Sequence, residues 1–205
     1  MNMLRAIPVV AFVALASGNA LASSPAEVER FPARMPESDR PAGGARTVIQ
    51  APPELVKAVV LDFPHYALYF DPDKGKNPDR VWKSKVVGKS GGKTDLYLQV
   101  PILKGLAKIW AVIRFDAMRK DGDAEIMKGR IIREDGKEKG NVRELSAKWT
   151  VRTTERGTEL QLEFLVVPGG VVPVPDKLLK DEAISAASKA VRGVRDEVLK
   201  RAAEG

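Results

Sequence analysis

The 205-residue chain contains no cysteine and only one histidine, His65. Disulfides, thiol nucleophiles and cysteine-based metal sites are therefore excluded, and the folded state must depend on its apolar core. A lipid anchor of the bacterial lipoprotein type is excluded for the same reason. With one histidine and no cysteine, metal binding would be left to carboxylates.

Catalytic motifs are equally scarce. A Ser-His-Asp triad would have to use His65, and the chain has no GxSxG nucleophile motif. Asp71, Asp73 and Asp79 lack the regular spacing and terminal glutamate of a calcium loop. Gly88–Gly92 does not follow the order of a phosphate-binding loop and is better explained as a turn. We therefore expect no metal, no cofactor and no catalytic residue.

Positive charge is in excess, with a formal net charge of +7, but lysine and arginine alternate with acidic residues along the whole chain. This pattern is typical of a solvated surface. No nucleic-acid-binding motif accompanies the charge, so we expect no nucleic-acid partner. If the basic surface has a partner, anionic lipid head groups fit it better.

Apolar runs are too short to cross a bilayer, which takes about 20 residues. The first residues instead have the pattern of a signal peptide: Arg5, an apolar run over residues 6–16, and Ala20-Leu21-Ala22 as a cleavage site before Ser23. We expect residues 1–22 to be removed and the protein to be periplasmic or secreted. An uncleaved anchor is the alternative.

The segment that follows, residues 23–44, has almost no apolar periodicity and contains four prolines and the pair Gly43-Gly44. Such a composition is typical of a segment that cannot bury enough surface to order itself. We interpret residues 23–44 as a disordered linker and residues 45–205 as one domain.

The domain is predicted to begin with a strand at Val48-Ile49, followed by two short helical segments over residues 52–61 and 63–70. Between Arg80 and Val167 the periodicity changes to two, and turn signals divide this region into six antiparallel strands. One face of these strands is apolar and the other polar. The sheet therefore needs a cover for one face only.

The last segment, Val174 to Gly205, is predicted to be one long helix. Its apolar stripe comprises Leu179, Ala183, Ala187, Ala190, Val191, Val194, Val198 and Ala202, and its opposite side comprises Asp181, Ser185, Ser188, Arg192 and Asp196. The middle of the stripe is mostly alanine. Two explanations are open: the sheet approaches the helix closely, or a gap is kept for an apolar ligand.

The segments Ala51–Val56, Asp62–Tyr66 and Phe70–Pro72, together with this order of elements, resemble the START-like (SRPBCC) superfamily and its coenzyme-Q-binding and polyketide-cyclase branches. The resemblance covers roughly residues 45–203. It implies an α+β helix-grip fold: a curved antiparallel sheet of about seven strands around a long C-terminal helix, with two short helices after the first strand. It also implies an apolar cavity between sheet and helix. Most members of the superfamily are carriers, and a minority are cyclases, aromatases or dehydratases.

On this basis we expect an exported carrier of a lipid, quinone, sterol or similar molecule. The predicted ligand-binding residues are Tyr66, Tyr69, Trp82, Ile109, Ile113, Phe115, Trp149, Leu162, Phe164, Ala183, Ala187 and Val191. Because the inward rows of the predicted strands consist of apolar and aromatic residues with no titratable group, binding is favoured over catalysis. The alternatives are a cyclase or dehydratase that uses a tyrosine (Tyr66, Tyr69 or Tyr97) or His65, and a packed interaction domain without a cavity.

Two turns at one end of the predicted sheet are unusually apolar. They contain the candidate portal residues Ile102, Leu103, Leu106, Val171 and Val172. Lysines 104, 108, 137 and 139 flank these turns, so the rim would suit a transient contact with an anionic membrane. The alternative is that these apolar side chains fold back as a lid. The sequence leaves the identity of the ligand and the oligomeric state open.

Overall fold

The computed structural model describes residues 27–70, 82–102, 107–134, 137–170 and 174–205. The strands are β1 (Glu29–Arg34), β2 (Pro41–Ile49), β3 (Lys83–Ser90), β4 (Lys93–Ile102), β5 (Ala107–Phe115), β6 (Arg119–Asp121), β7 (Ala124–Ile131), β8 (Arg133–Glu134), β9 (Lys137–Glu138), β10 (Val142–Thr154) and β11 (Gly157–Pro168). The helices are α1 (Pro53–Val60), α2 (Tyr66–Phe70) and α3 (Asp176–Glu204), and a 3-10 turn (Phe63–His65) precedes α2.

The main sheet has nine strands and is antiparallel throughout the pairings of the described residues. Its order is β1-β2-β11-β10-β7-β5-β4-β3, with β6 paired to β7, while β8 and β9 form a separate hairpin. The predicted helix-grip fold is confirmed. The six predicted strands correspond to β3, β4, β5, β7, β10 and β11, and the alternation of β5, β10 and β11 places the predicted apolar rows in the core.

Helix α3 lies against β2 and β11 on one side and meets α1 and α2. The contact with β2 is a backbone contact: a Cβ atom on Gly43 would lie 2.1 Å from the amide nitrogen of Ile184 and 2.5 Å from the carbonyl carbon of Ala183. Ala183, Ala187 and Val191 are fully buried there. At Ala183 the predicted stripe therefore serves close helix-to-sheet contact, the first of the two explanations above. Ala190, further along the stripe, instead borders a cavity.

The interpretation of residues 23–44 as a linker is wrong for the described part, residues 27–44. Strand β1 pairs with β2 along its whole length, and Arg30 donates a hydrogen bond of 3.1 Å from Nε to Ser188 Oγ of α3. The composition was misleading because the pair Gly43-Gly44 serves close packing instead of flexibility: α3 fills the space above Gly43, and the Phe31 ring fills the space above Gly44.

The outer face of the sheet is also not wholly solvated. Met35, Ala42, Leu165 and Val167 form a second, small apolar cluster there. The turn after β1 continues across this face, and Glu37 pairs with Arg130 of β7 at 3.0 Å. The N-terminal segment is thus anchored on both faces of the sheet. In the part of the chain that the structure describes, no helix is both long enough and apolar enough to span a membrane.

The contact between Gly43 and α3 gives a stability prediction. Gly43→Ala should lower the free energy of unfolding by about 3 kcal/mol, because a methyl group cannot fit against two backbone atoms without moving the helix. Urea unfolding followed by circular dichroism would measure the change.

Gly88→Ala is the matched control, since the atom nearest to its added Cβ, at 3.2 Å, is a carboxylate oxygen of Asp95. A side chain gives way more easily than backbone, so this variant should stay within about 1 kcal/mol of the wild type. Equal losses in the two variants would contradict the assigned role of Gly43.

Candidate ligand cavity between the sheet and the C-terminal helix

A cavity lies beside the contact between β2 and α3, between α3 and the inner face of the sheet. The sheet contributes most of its apolar walls, and α2 contributes Tyr66 and Phe70. The lining residues are Tyr66, Phe70, Trp82, Leu98, Val100, Pro101, Ile109, Ile113, Phe115, Ala147, Trp149, Leu162, Phe164, Val166, Glu182, Ser185, Ala186, Lys189 and Ala190.

The free volume of this cavity is about 60 Å³. Sites for drug-sized ligands have volumes of about 300–1,000 Å³, and one bound water takes about 10–15 Å³ when volume is measured by the space open to a water-sized sphere. The cavity therefore accommodates a few water-sized groups as it stands. A lipid-sized ligand requires the lining side chains, or α3 itself, to move apart.

One end of the cavity is aromatic. The Tyr66 and Phe70 rings are 4.7 Å apart between centroids, and Phe70 meets Trp82 edge-on at 5.5 Å. The Tyr66 hydroxyl donates a hydrogen bond to the carbonyl of Val60, and burial raises its pKa well above the ordinary value. Tyr66 therefore presents its ring to the cavity, while its hydroxyl proton is engaged with the backbone.

The helix side of the cavity is polar. Glu182, Ser185 and Lys189 line it together with Ala186 and Ala190. Residues three, four and seven positions apart share one face of a helix, so these side chains form a single stripe next to the alanine contact. The expectation that the cavity contains no titratable group is wrong on this wall.

Eight of the twelve predicted ligand-binding residues lie in the lining: Tyr66, Trp82, Ile109, Ile113, Phe115, Trp149, Leu162 and Phe164. Ala183, Ala187 and Val191 do not line it, although all three are fully buried, and Ala183 lies against Gly43 of β2. Tyr69 is also outside the lining. Ser185 and Ser188, placed on the solvated side from the sequence, are half-buried and buried respectively, since the sheet extends further round the helix than expected.

The residues missed in the lining include Leu98, Val100 and Val166. Leu98 and Val100 follow Leu96 at every second position of β4 and so lie on the same face of the strand. The period-two pattern of β4 therefore contained the signal for them. The candidate portal residues Leu103, Leu106, Val171 and Val172 lie outside the described residues, as does the side chain of Ile102. Of the four lysines placed around the portal, Lys108 and Lys139 are described, and both are exposed.

A second group of polar residues joins the short helices to the end of α3. Asp62 accepts hydrogen bonds from the Tyr69 hydroxyl at 2.5 Å and from Arg201 Nη2 at 2.7 Å, and His65 Nδ1 lies 2.6 Å from its other oxygen. Arg201 also donates from Nε to Glu197 at 2.8 Å. We call this group the Asp62 cluster. It ties α2 to the C-terminal end of α3.

The Asp62 cluster changes the acidity of its central carboxyl. Burial opposes ionisation of Asp62, but the hydrogen bonds from Tyr69, Arg201 and His65 outweigh burial and lower its pKa from 3.8 to about 2. A lowered pKa means that the folded state favours the carboxylate. The Asp62 cluster is therefore a stabilising ionic contact at neutral pH.

The four residues considered for catalysis are not brought together at the cavity. Tyr69 and His65 belong to the Asp62 cluster, and Tyr97 stands on the outer face, where its ring centroid lies 5.9 Å from that of Trp110. Only Tyr66 of the four lines the cavity. Among the described residues, no three acidic or histidine side chains are grouped so that they could hold a metal ion.

No protein-family model and no curated protein matches the chain. Solved structures do match it. A STAR-related lipid transfer protein from Xanthomonas axonopodis has a TM-score of 0.61 at 15% identity, with 84% of this chain and 93% of that chain covered. The Zhui aromatase/cyclase from Streptomyces sp. R1128 has a TM-score of 0.55 at 19% identity, with 86% and 96% covered. The lipid transfer and protein localization domain of human StarD13 has a TM-score of 0.57 at 14% identity, with 83% and 84% covered.

These similarities confirm the START-like fold at low sequence identity. The matched structures include lipid transfer proteins and a cyclase, so the shared fold does not distinguish a carrier from an enzyme. The lining of this chain's own cavity has to make that distinction.

The Asp62 cluster predicts a specific pH dependence. The pKa of Asp62 is lower in the folded state than in the unfolded state. The carboxylate therefore contributes fully to the free energy of unfolding above the unfolded pKa, near 3.8, and this contribution is lost as the pH falls through about 2. Asp62→Asn should lower the free energy of unfolding by about 2 kcal/mol at pH 6, and this difference from wild type should shrink between pH 4 and pH 2.

Urea unfolding of both proteins across this pH range would measure the difference. Asp181→Asn, at an exposed position of α3, is the control and should show no such trend. A difference between wild type and Asp62→Asn that stays constant down to pH 2 would show that the carboxylate is not the stabilising form.

Proposed function

We propose that the protein binds a lipid, quinone, sterol or similar hydrophobic small molecule in the cavity beside α3 and acts as a carrier for it. The observation that supports this most directly is the cavity wall. The sheet and α2 contribute thirteen lining residues and Trp82, just before β3, is a fourteenth; all are apolar or aromatic except for the Tyr66 hydroxyl, which is bonded to the backbone.

Apolar walls favour this class of ligand for an energetic reason. Each methylene group moved from water into such a site contributes about 0.8 kcal/mol to binding. The aromatic end formed by Tyr66, Phe70 and Trp82 also suits flat or ring-containing molecules, because aromatic faces stack favourably on one another. The lining thus supplies affinity for a large apolar body.

The matched lipid transfer structures are consistent with this proposal, and the matched aromatase/cyclase represents the alternative. The residues considered for that alternative give it little support in this chain. His65 and Tyr69 are held in the Asp62 cluster, and Tyr97 is on the outer face. We therefore place binding ahead of catalysis.

Ligand exchange would take place at the rim near the hairpin between β4 and β5. Pro101 lines the cavity there, and Lys108, its partner in register on β5, is exposed at the same edge. A basic rim next to an apolar cavity is suited to transient contact with an anionic membrane, from which the carrier would take or deliver its ligand.

We further propose that the protein is exported and functions in the periplasm or outside the cell. The basis is the N-terminal sequence, in which a short apolar run precedes Ala20-Leu21-Ala22. Export would place the carrier close to membranes. Because the chain has no cysteine, it would fold there without forming disulfides.

The proposed cavity predicts the effect of filling it. Ala186→Phe adds a ring on the helix wall and should reduce the ligand bound after purification at least about 10-fold, because the ring occupies the space of the apolar body. Native mass spectrometry of the purified protein, followed by denaturation and identification of the released molecule, would measure occupancy.

Ala203→Phe adds the same ring at an exposed position of α3 and should retain the ligand. The carrier function would be refuted by wild-type protein that is empty after purification and takes up no lipid, quinone or sterol from vesicles.

Export predicts a change of mass. Expressed in a Gram-negative host, the chain should be recovered from the periplasmic fraction beginning at Ser23, and Ala20→Arg should block cleavage because the site requires small residues. Intact-mass measurement of each fraction would show the outcome. Full-length wild-type protein confined to the cytoplasm would contradict the proposal.

A further inference from the structure

Three polar side chains form a stripe on the α3 wall of the cavity. Glu182, Ser185 and Lys189 line a space whose other walls are apolar. Over seven residues a helix rises about 10.5 Å, so the two charged residues mark the ends of the stripe and Ser185 lies between them. We call these three residues the polar stripe.

The polar stripe has no partners within the part of the chain that the structure describes: Glu182 and Lys189 form no ion pair there, and the Ser185 hydroxyl forms no hydrogen bond. The C-terminal part of α3 differs in this respect, since Arg201 pairs there with Glu197 and with Asp62. An ammonium or hydroxyl group that lines a cavity and has no protein partner can donate a hydrogen bond to a ligand. The stripe therefore has the character of a polar subsite at the helix wall.

Exposure locates this subsite at the mouth of the cavity. Lys189 is exposed, while Ser185 and Glu182 are half-buried. The aromatic end, with Phe70 and Trp82, belongs to the interior of the fold. A molecule that fills the cavity would thus have its apolar body among the aromatic rings and one end beside the polar stripe.

We propose that the cavity takes an amphiphile with an anionic end, either a carboxylate or a phosphate, which pairs with Lys189 and accepts a hydrogen bond from Ser185. This inference rests on the proposed binding function and narrows its ligand class. The sign of the charge follows from the whole protein: a net charge of +7 favours the approach of anions over cations. Glu182 lies two turns away at the opposite end of the polar stripe, so the anionic end is placed at Lys189 and away from Glu182.

The experiment uses four probes with the same twelve-carbon chain, each kept below its micelle concentration. Dodecanoate and dodecyl phosphate are anionic, dodecanol is neutral, and dodecyltrimethylammonium is cationic. Each displaces the neutral fluorophore N-phenyl-1-naphthylamine from the purified protein. We expect the two anionic probes to bind about 10-fold more tightly than dodecanol, because a charge-assisted hydrogen bond contributes this much.

Variants test which residues recognise the anionic end. Lys189→Gln should weaken dodecanoate binding roughly 10-fold and leave dodecanol unchanged, and Ser185→Ala should weaken dodecanoate roughly 3-fold. Arg192→Gln removes the same charge from an exposed position on the same helix and should change neither affinity. Because Lys189 is exposed, its replacement should leave the thermal midpoint of unfolding unchanged.

The outcomes separate this inference from the binding function itself. If dodecanol and dodecanoate both bind but Lys189→Gln affects neither, or if the cationic probe binds most tightly, the anionic subsite is refuted while the carrier proposal stands. If inorganic phosphate alone displaces dodecyl phosphate at similar concentration, the site is a phosphate site and not one for amphiphiles. If neither the fluorophore nor any probe binds, the cavity function fails as a whole.

Discussion

The backbone contact between β2 and α3 determines where the walls of the cavity lie. At Gly43 the sheet approaches the helix so closely that no side chain fits between them. A second contact of the same kind occurs near the other end of the helix, where a Cβ atom on Gly193 would lie 2.0 Å from the carbonyl oxygen of Tyr69. Two close contacts, one on β2 and one on α2, hold the helix against one side of the curved sheet. The space left over lies on the other side, opposite β4 and β5.

This asymmetry explains which parts of the structure could be predicted from the sequence. Strands β5, β10 and β11 carry an apolar residue at every second position because one face meets an apolar interior, so both their existence and their inward rows were predictable. The length of α3 was predictable from its apolar stripe. The lining of the helix wall was not, because an alanine such as Ala187 is equally compatible with a tight contact and with an open space. Only the position of Gly43 on the neighbouring strand shows where the helix is in tight contact with the sheet and where a space is left open.

The same glycine explains the error at the N terminus. Glycines often mark flexible segments, but Gly43 and Gly44 of β2 allow close approach to a helix and to a ring. Ser185 and Ser188 show the corresponding error on the helix, since a helical pattern gives the direction of a side chain but not how far the sheet curves to meet it. Pairings between distant segments, such as Arg30 with Ser188 and Asp62 with Arg201, depend on that curvature. No local pattern encodes them.

The placement of the three tryptophans has an optical consequence. Trp82 and Trp149 are both buried and both line the cavity, whereas Trp110 lies on the outer face and is 38% exposed. Two of the three indoles thus report on the contents of the cavity, and the third reports on solvent. The intrinsic fluorescence of the unlabelled protein therefore contains a built-in reporter of occupancy: a bound quinone would quench the two inner indoles by contact, and an external quencher such as iodide would reach mainly the outer one.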